Sequence, residues 1–229
     1  MEGLKLFCDM WIFEDLGIRR YDEVWNYQEK LFALNVQAKA DNKTTQNHLL
    51  FCEHEHTITI GKNGKNENLL YDESFLKSKS VSLFHIDRGG DITYHGPGQL
   101  VVYPIFDLES FGIGLREYIY RLEEVMIRFL SMYDVNASRF DGAAGVWIDA
   151  NPVRTRKIGA IGVRSSRFIT MHGFALNLNT DLRYFSLINP CGFVDKGVTS
   201  LEKEIGKKID IAIAKKQIIA LFGDIFVIN

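Results

Sequence analysis

Proline is scarce in this chain. There are four in 229 residues, never clustered, so the sequence holds no Pro-rich linker or polyproline tract. Cysteine is scarcer still. Three scattered residues, an odd number, argue against a disulfide framework and for a reducing compartment. Excess charge is missing too: 27 basic against 29 acidic side chains leave a net −2, so nothing global directs the chain to nucleic acid or to a membrane surface. No apolar run is long enough to span a bilayer. The opening MEGLKLFCDMW carries Glu2 and Asp9 and lacks the apolar block of a signal peptide. We therefore expect a cytoplasmic protein. No internal period is found, nor a P-loop, nor the GxSxG of serine hydrolases; GIGLRE (112–117) does not fit the dinucleotide pattern.

Apolar residues are plentiful, at 46%, enough for a sizeable core in one domain spanning 1–229. Residues 4–8 and 10–13 read as a strand. A helix is expected over 21–40, where Tyr21, Val24, Gln28, Leu31 and Asn35 share a face. Strands follow at 48–60 (one or two), 81–87 and 100–108. The clearest helix is 114–133, with Leu115, Ile119, Leu122, Met126 and Phe129 at helical spacing. Three strand signals come next, at 144–149, 157–164 and 168–179, and then a helix at about 209–222. Helices flank hairpin-rich strands without alternating one for one. The fold class is α+β, with a largely antiparallel sheet.

Chemistry-bearing residues concentrate in a few places. RGGDITYHGPGQL (88–100) holds four of the nineteen glycines around Asp91, Tyr94 and His95. Such a segment lets backbone approach a ligand closely, although two tight turns joining strands would look the same. Lys157 opens the apolar strand RKIGAIGVR. It fits a strand-edge charge in water or a lysine partly withdrawn from it, able to carry protons. His172 interrupts a strand in MHGFALN. His54 and His56 would share a strand face as half of a metal site, but no further ligands stand out and the cysteines are not at zinc spacing, so metal is rejected. Cys8 and Cys52 sit in apolar runs, where cysteine is a small core residue. Cys191 lies in INPCGF, between a proline and a glycine, where a turn can expose and aim a thiol.

Four motifs in order, RGGDITYHGPGQLVVYP (88–104), RKIGAIGVR (156–164), HGFALNLN (172–179) and INPCG (188–192), followed by VTSL (198–201), carry a resemblance. The sequence resembles the lipoyl(octanoyl) transferases, also called lipoate-protein ligase B; weaker similarity covers most of the chain. The resemblance implies a fold like the catalytic domain of biotin and lipoate protein ligases. It also implies one reaction: an octanoyl group leaves acyl carrier protein, rests on a cysteine, and passes to a lysine of a lipoyl-accepting protein. The acceptors are the lipoyl domains of 2-oxoacid dehydrogenase E2 subunits and the glycine cleavage H protein. Carried over by position, Cys191 is the nucleophile and Lys157 the acid/base partner. The acyl site is lined by Arg88, Gly89, Gly90, Asp91, Ile92, Thr93, Tyr94 and His95, by Ala160, Ile161 and Gly162, and by Gly173, Phe174 and Ala175. No cofactor, metal, nucleic acid or membrane is implied. EHEHTITI (53–60) departs from the family, which has prolines near the second histidine.

Three rivals stand beside this reading. An ATP-dependent lipoate or biotin ligase would share the fold but needs no nucleophilic cysteine, and biotin ligases carry a GRGRxG-like loop that this chain lacks. A non-catalytic module binding a carrier protein would have no use for Cys191 and Lys157 together. A thiol hydrolase needs a cysteine–histidine pair with no local signature here. Arg154, Arg156, Arg164 and Arg167, around Lys157, form the densest basic stretch and are the expected landing surface for acidic carrier proteins.

Overall fold

The computed structural model describes residues 10–149, 155–189 and 197–227. Its larger sheet sets side by side β1 (Ile12–Arg19), β2 (His48–His54), β6 (Gln99–Ile105), β10 (Ile169–Asn177), β9 (Arg156–Ser166), β8 (Ala143–Ile148) and β7 (Ala137–Phe140), in that order, with β11 (Gly197–Val198) added to β9. A smaller sheet has the order β4 (Ser82–His85), β3 (Thr57–Ile60), β5 (Ile92–His95). Pairing is antiparallel except for β1 with β2, β9 with β11 and β3 with β4. The architecture is α+β with a mostly antiparallel sheet flanked by helices.

Period-2 alternation makes the large sheet two-sided. Leu49, Phe51, Leu100, Val102, Phe174 and Leu176 face one way, into a core with helices α3 (Leu115–Ser131) and α5 (Ile211–Ile225). Leu50, Cys52, Val101, Tyr103 and Ala175 face the other, against α1 (Tyr21–Ala40). With helices on both faces, β2, β6 and β10 are buried almost throughout. Helix α1 buries Tyr21, Val24, Gln28, Leu31, Phe32 and Asn35, and its expected bounds and face agree with what is observed. In α5, Asp210 caps the first turn by accepting from the Ala212 and Ile213 N–H groups.

Several elements differ from the sequence reading. The first described strand runs Ile12–Arg19 and not 10–13, while 4–8 lies outside the described residues. The segment between the two glycine turns is itself a strand, β5, and Ala137–Phe140 forms β7, too short and polar to show a period. Helices α2 (Glu73–Ser78) and α4 (Leu201–Ile205) are single turns held by the Asp72 and Ser200 caps. Among the described residues no helix is long and apolar enough to cross a membrane.

Candidate active site

The two sheets meet along a seam, and a cleft of about 360 Å³ opens there. Backbone bonds tie the glycine loop to both sheets. Gly89 N–H donates to the Val163 carbonyl on β9 (2.9 Å). From the stretch after β3, Gly61, Lys62 and Asn63 N–H groups donate to the carbonyls of Asp91 (3.2 Å), Arg88 (3.0 Å) and Gly90 (3.1 Å). Such close approach needs glycine. A Cβ at Gly61 would stand 2.5 Å from the Gly90 oxygen, and one at Gly162 would stand 2.7 Å from Arg88 Cδ and 2.9 Å from the Gly89 oxygen. Gly90 also sits at φ +92°, where side chains are strained. The Arg88 stem thus lies over Gly162, and its guanidinium donates to the Thr59 carbonyl (3.0 Å) and hydroxyl (2.9 Å).

Buried polar side chains of the cleft wall form a hydrogen-bonded chain. His95 Nδ1–H donates to Gln99 Oε1 (2.7 Å), and Gln99 Nε2 donates to the Tyr94 carbonyl (3.1 Å) and to Asn177 Oδ1 (2.9 Å). Asn177 Nδ2 donates to the Thr199 carbonyl (3.0 Å), and Thr199 N–H to the Lys157 carbonyl (2.9 Å). Burial pushes His95 down to about 3 and its neighbour His54 down to about 4, so both rings are neutral. His54 donates from Nδ1 to the Arg19 carbonyl (3.2 Å) and accepts at Nε2 from the Tyr103 hydroxyl (2.8 Å). His172 is buried on β10 at φ +59°; its N–H is held by Gln28 Oε1 (2.9 Å) and its Nε2 by Asp87 (3.2 Å). Burial lowers the His172 pKa, and the hydrogen bond from His172 lowers that of Asp87.

Lys157 owes its orientation to a bulge in β9. Val146 pairs with Gly159, but the next residue, Trp147, pairs with Lys157, so Ile158 is an extra residue in β9. Ile158 packs in the core beneath α3, and a Cβ on Gly159 would meet Met126 Sδ of the same helix at 2.5 Å. Two successive residues therefore point to the helix side. An unbulged strand would pair Lys157 with the buried Ile148; the bulge returns it to the cleft opposite Trp147. There Nζ lies 4.4 Å from the indole centroid and 3.4 Å from the Ala144 carbonyl. Strand β11 closes the other side, with Val198 in register with Lys157.

Most of the expected site residues converge. Lys157, Arg88, Gly90, Asp91, Ile92, Thr93 and His95 line the cleft, as do Ala160, Ile161, Gly162, Gly173, Phe174 and Ala175. Two stand behind the wall. Gly89 is fixed by its bond to Val163, and strand alternation turns Tyr94 away from Thr93 and His95 into the small sheet's core, its hydroxyl 2.7 Å from His56 Nδ1. Cys191 lies outside the described residues. On its N-terminal side Asn189 N–H donates to the Asn68 carbonyl (2.7 Å), and on its C-terminal side the described chain resumes at Gly197, paired with Arg156.

Sequence reasoning missed Tyr21, Asn63, Tyr103 and 142–144, all on the cleft, because nothing local marks them. Gln99 and Asn177, also on the cleft, were missed although they stand inside quoted motifs. His54 and His56 do not share a face: the chain leaves the large sheet at His54 and enters the small one at Thr57. Among the described residues no group of three metal-ligating side chains comes together. Cys52 is a core residue whose thiol burial pushes up. Of the expected basic landing surface, two members are paired locally, while Arg167 is exposed. Arg156 pairs with Asp149 and Glu204, Arg164 with Glu29 and Asp87, and Arg154 lies outside the described residues.

The fold that holds this cleft is that of lipoate and biotin protein ligase catalytic domains. A chain from a structural analysis of an archaeal lipoylation system, a bipartite lipoate protein ligase and its E2 lipoyl domain from Thermoplasma acidophilum, superposes with a TM-score of 0.65 at 17% identity, covering 93% of this chain and 82% of that one. A biotin protein ligase from Aquifex aeolicus, in complex with biotin and ATP, gives 0.55 at 13% identity, over 93% and 69%. These likenesses are of fold alone. Sequence goes further: the family described as the lipoyl protein ligase A/B catalytic domain matches residues 20–223, and the chain belongs to it. It is 57% identical over 215 residues to the octanoyltransferase of Parabacteroides distasonis, covering 93% of this chain and 97% of that one. With the octanoyltransferase of Bacteroides fragilis (strain YCH46) it shares 55% over 207 residues, covering 90% and 94%. The chain is an acyltransferase of protein lipoylation.

Proposed function

We propose that this enzyme takes an octanoyl group from the thioester of acyl carrier protein, holds it on Cys191, and passes it to a lysine of lipoyl-accepting proteins. The acceptors in this reading are the lipoyl domains of 2-oxoacid dehydrogenase E2 subunits and the glycine cleavage H protein. The observation that carries the reading is Lys157, turned into the cleft by the β9 bulge and paired through β11 with the chain that follows Cys191. Ala160, Ile161, Phe174, Ala175 and Val101 give the wall an apolar stretch suited to an aliphatic chain.

The chemistry follows from pKa values. A thiol with an ordinary pKa of ~8.5 is a few per cent thiolate at neutral pH. A nearby ammonium stabilises the thiolate, which attacks the carrier thioester and exchanges one thioester for another. The acceptor lysine, with a pKa of ~10.4, arrives protonated. Lys157, having passed its proton to the departing carrier thiolate, takes one from the acceptor ammonium; the free amine attacks the octanoyl carbonyl, the bond to sulfur breaks to release the Cys191 thiolate beside the reprotonated lysine, and the remaining proton on the amide nitrogen passes to solvent. The amide product is more stable than the thioester and draws the sequence forward. Intact mass after incubation with octanoyl-carrier protein tests this directly. One octanoyl adduct, labile to hydroxylamine and discharged by a lipoyl domain without ATP or magnesium, is expected. Octanoylation that requires ATP and leaves Cys191 unmodified would overturn the reading in favour of a ligase.

A further inference from the structure

The pairing of Trp147 with Lys157 comes from the bulge and not from regular strand register. Unbulged antiparallel pairing would set Trp147 opposite Ile158 and Lys157 opposite Ile148, and the extra residue in β9 replaces both pairs. What the bulge gains is an ammonium over an aromatic face. Trp147 is 2% exposed and its ring is itself fixed, with Nε1–H donating to the Ala143 carbonyl (3.1 Å) and Phe140 packed at 5.5 Å. A cation within ~6 Å of an indole centroid is held by the ring's quadrupole. We propose that Trp147 is the positioning residue of Lys157: the buried indole face and the Ala144 carbonyl together seat Nζ at the cleft wall and hold it there through both half-reactions. The inference rests on the acid/base role given to Lys157 above.

Arg156 and Glu123, charged groups on the elements packed beside Lys157, are engaged with other partners. On its own strand Arg156 is turned to Asp149 and Glu204. On α3 Glu123 is occupied by Arg139 and by the Gly145 N–H. Strand β8 offers Trp147 and the Ala144 carbonyl, and β11 offers Val198. A ring can hold an ammonium without fixing a proton on it as a carboxylate would, which suits a group that must both give and take one.

Trp147→Phe, Trp147→Tyr and Trp147→Leu, each checked for thermal unfolding, form the test. The two ring-bearing variants should stay within severalfold of the parent, whereas Trp147→Leu should lose about tenfold to a hundredfold in kcat with KM for carrier protein little changed. The pH profile should move with Trp147→Leu and not with Trp147→Phe. A second readout uses the unaltered enzyme. With 13C-labelled lysine, the Lys157 ε-methylene signal, assigned by its loss in Lys157→Arg, should be shifted upfield by the ring. That shift decides the matter if Trp147→Leu fails to fold. An unshifted signal overturns the proposal, as does equal kcat in the Phe and Leu variants. If Lys157→Ala itself transfers at full rate, the acid/base reading fails instead, whatever the ring shift.

Discussion

Acid should unfold this protein early, and two buried histidines say by how much. His54 and His95 sit back to back, ring centroids 5.8 Å apart, with Tyr21 packed on both. Each already uses one nitrogen as donor, to the Arg19 carbonyl and to Gln99 Oε1. Burial holds their folded pKa values at about 4 and about 3, against ~6.5 in the unfolded chain. Because the folded values are depressed, the unfolded state binds protons first as pH falls. Full stability is therefore present above pH ~6.5 and drains away below it, towards the folded values. At pH 5 the offset is about 1.5 units for each ring, or about 2 kcal/mol each and about 4 kcal/mol together. With a urea slope of about 2 kcal/mol/M the midpoint should fall by roughly 2 M between pH 7.5 and pH 5. Carboxylates with lowered pKa values, such as Asp87 and Glu204, add the same sign of effect only nearer their unfolded values of ~4. The window from 6.5 to 5 thus belongs to histidine. The assay is urea unfolding followed by circular dichroism at pH 7.5, 6.5 and 5.0, with His54→Gln removing about 2 kcal/mol of a dependence to which His172 and His56, also lowered by burial, add in the same sense. A midpoint constant across that window, or a slope untouched in His54→Gln, would refute the neutral-pair argument.

Other outcomes follow from the same geometry. Cys191→Ala should fold and lose octanoyl transfer to a lipoyl domain, whereas Cys52→Ala should keep transfer and lose about 1 kcal/mol or more to a small cavity, both read by gel-shift octanoylation and thermal melts. Lys157→Arg should transfer far more slowly than the parent because guanidinium keeps its proton, and iodoacetamide titration of Cys191 should show a higher apparent thiol pKa in Lys157→Ala. Gly159→Ala places a methyl 2.5 Å from Met126 Sδ and should lower the melting temperature, at a cost of about 1–3 kcal/mol.

Much of the scaffold was legible because both sides of the large sheet are covered. Leu49 to Cys52 and Leu100 to Tyr103 are apolar without a break, and the α1 face from Tyr21 to Asn35 has helical spacing. What escaped was short or non-local. Ala137–Phe140 has no periodic signal in four residues, and α2 and α4 exist because of one cap each. The fate of the basic stretch was unreadable for another reason. Glu29 and Asp87 approach Arg164 from distant parts of the chain, and no pattern near Arg164 announces them. Tyr94 misled because its neighbours do line the cleft; only the assignment of β5 as a strand shows that every second residue must turn away.

The glycines that carry the resemblance share one physical cause. Gly61 and Gly162 stand where backbone of the small sheet or its loop is pressed against β9 or against itself, and each would drive a Cβ to within 3 Å of a neighbouring group, while Gly90 between them turns at φ +92°. Gly173, opposite Gly162 in the β9–β10 ladder, would drive one to 2.2 Å from the Val102 oxygen. Two sheets laid this close leave room for backbone and for a ligand, and little else. Side-chain chemistry must then enter from the ends of the seam. Lys157 enters by a bulge and His172 by a left-handed residue, two departures from regular strand geometry within neighbouring strands. If that is why both are irregular, deleting Ile158, which leaves Lys157 paired with Trp147 on the cleft face, should leave transfer measurable at reduced stability, while inserting an alanine between Val146 and Trp147, which gives Ile158 a partner and turns Lys157 to the helix face, should abolish it. Equal transfer by the insertion and the deletion would show that the bulge does not aim the lysine.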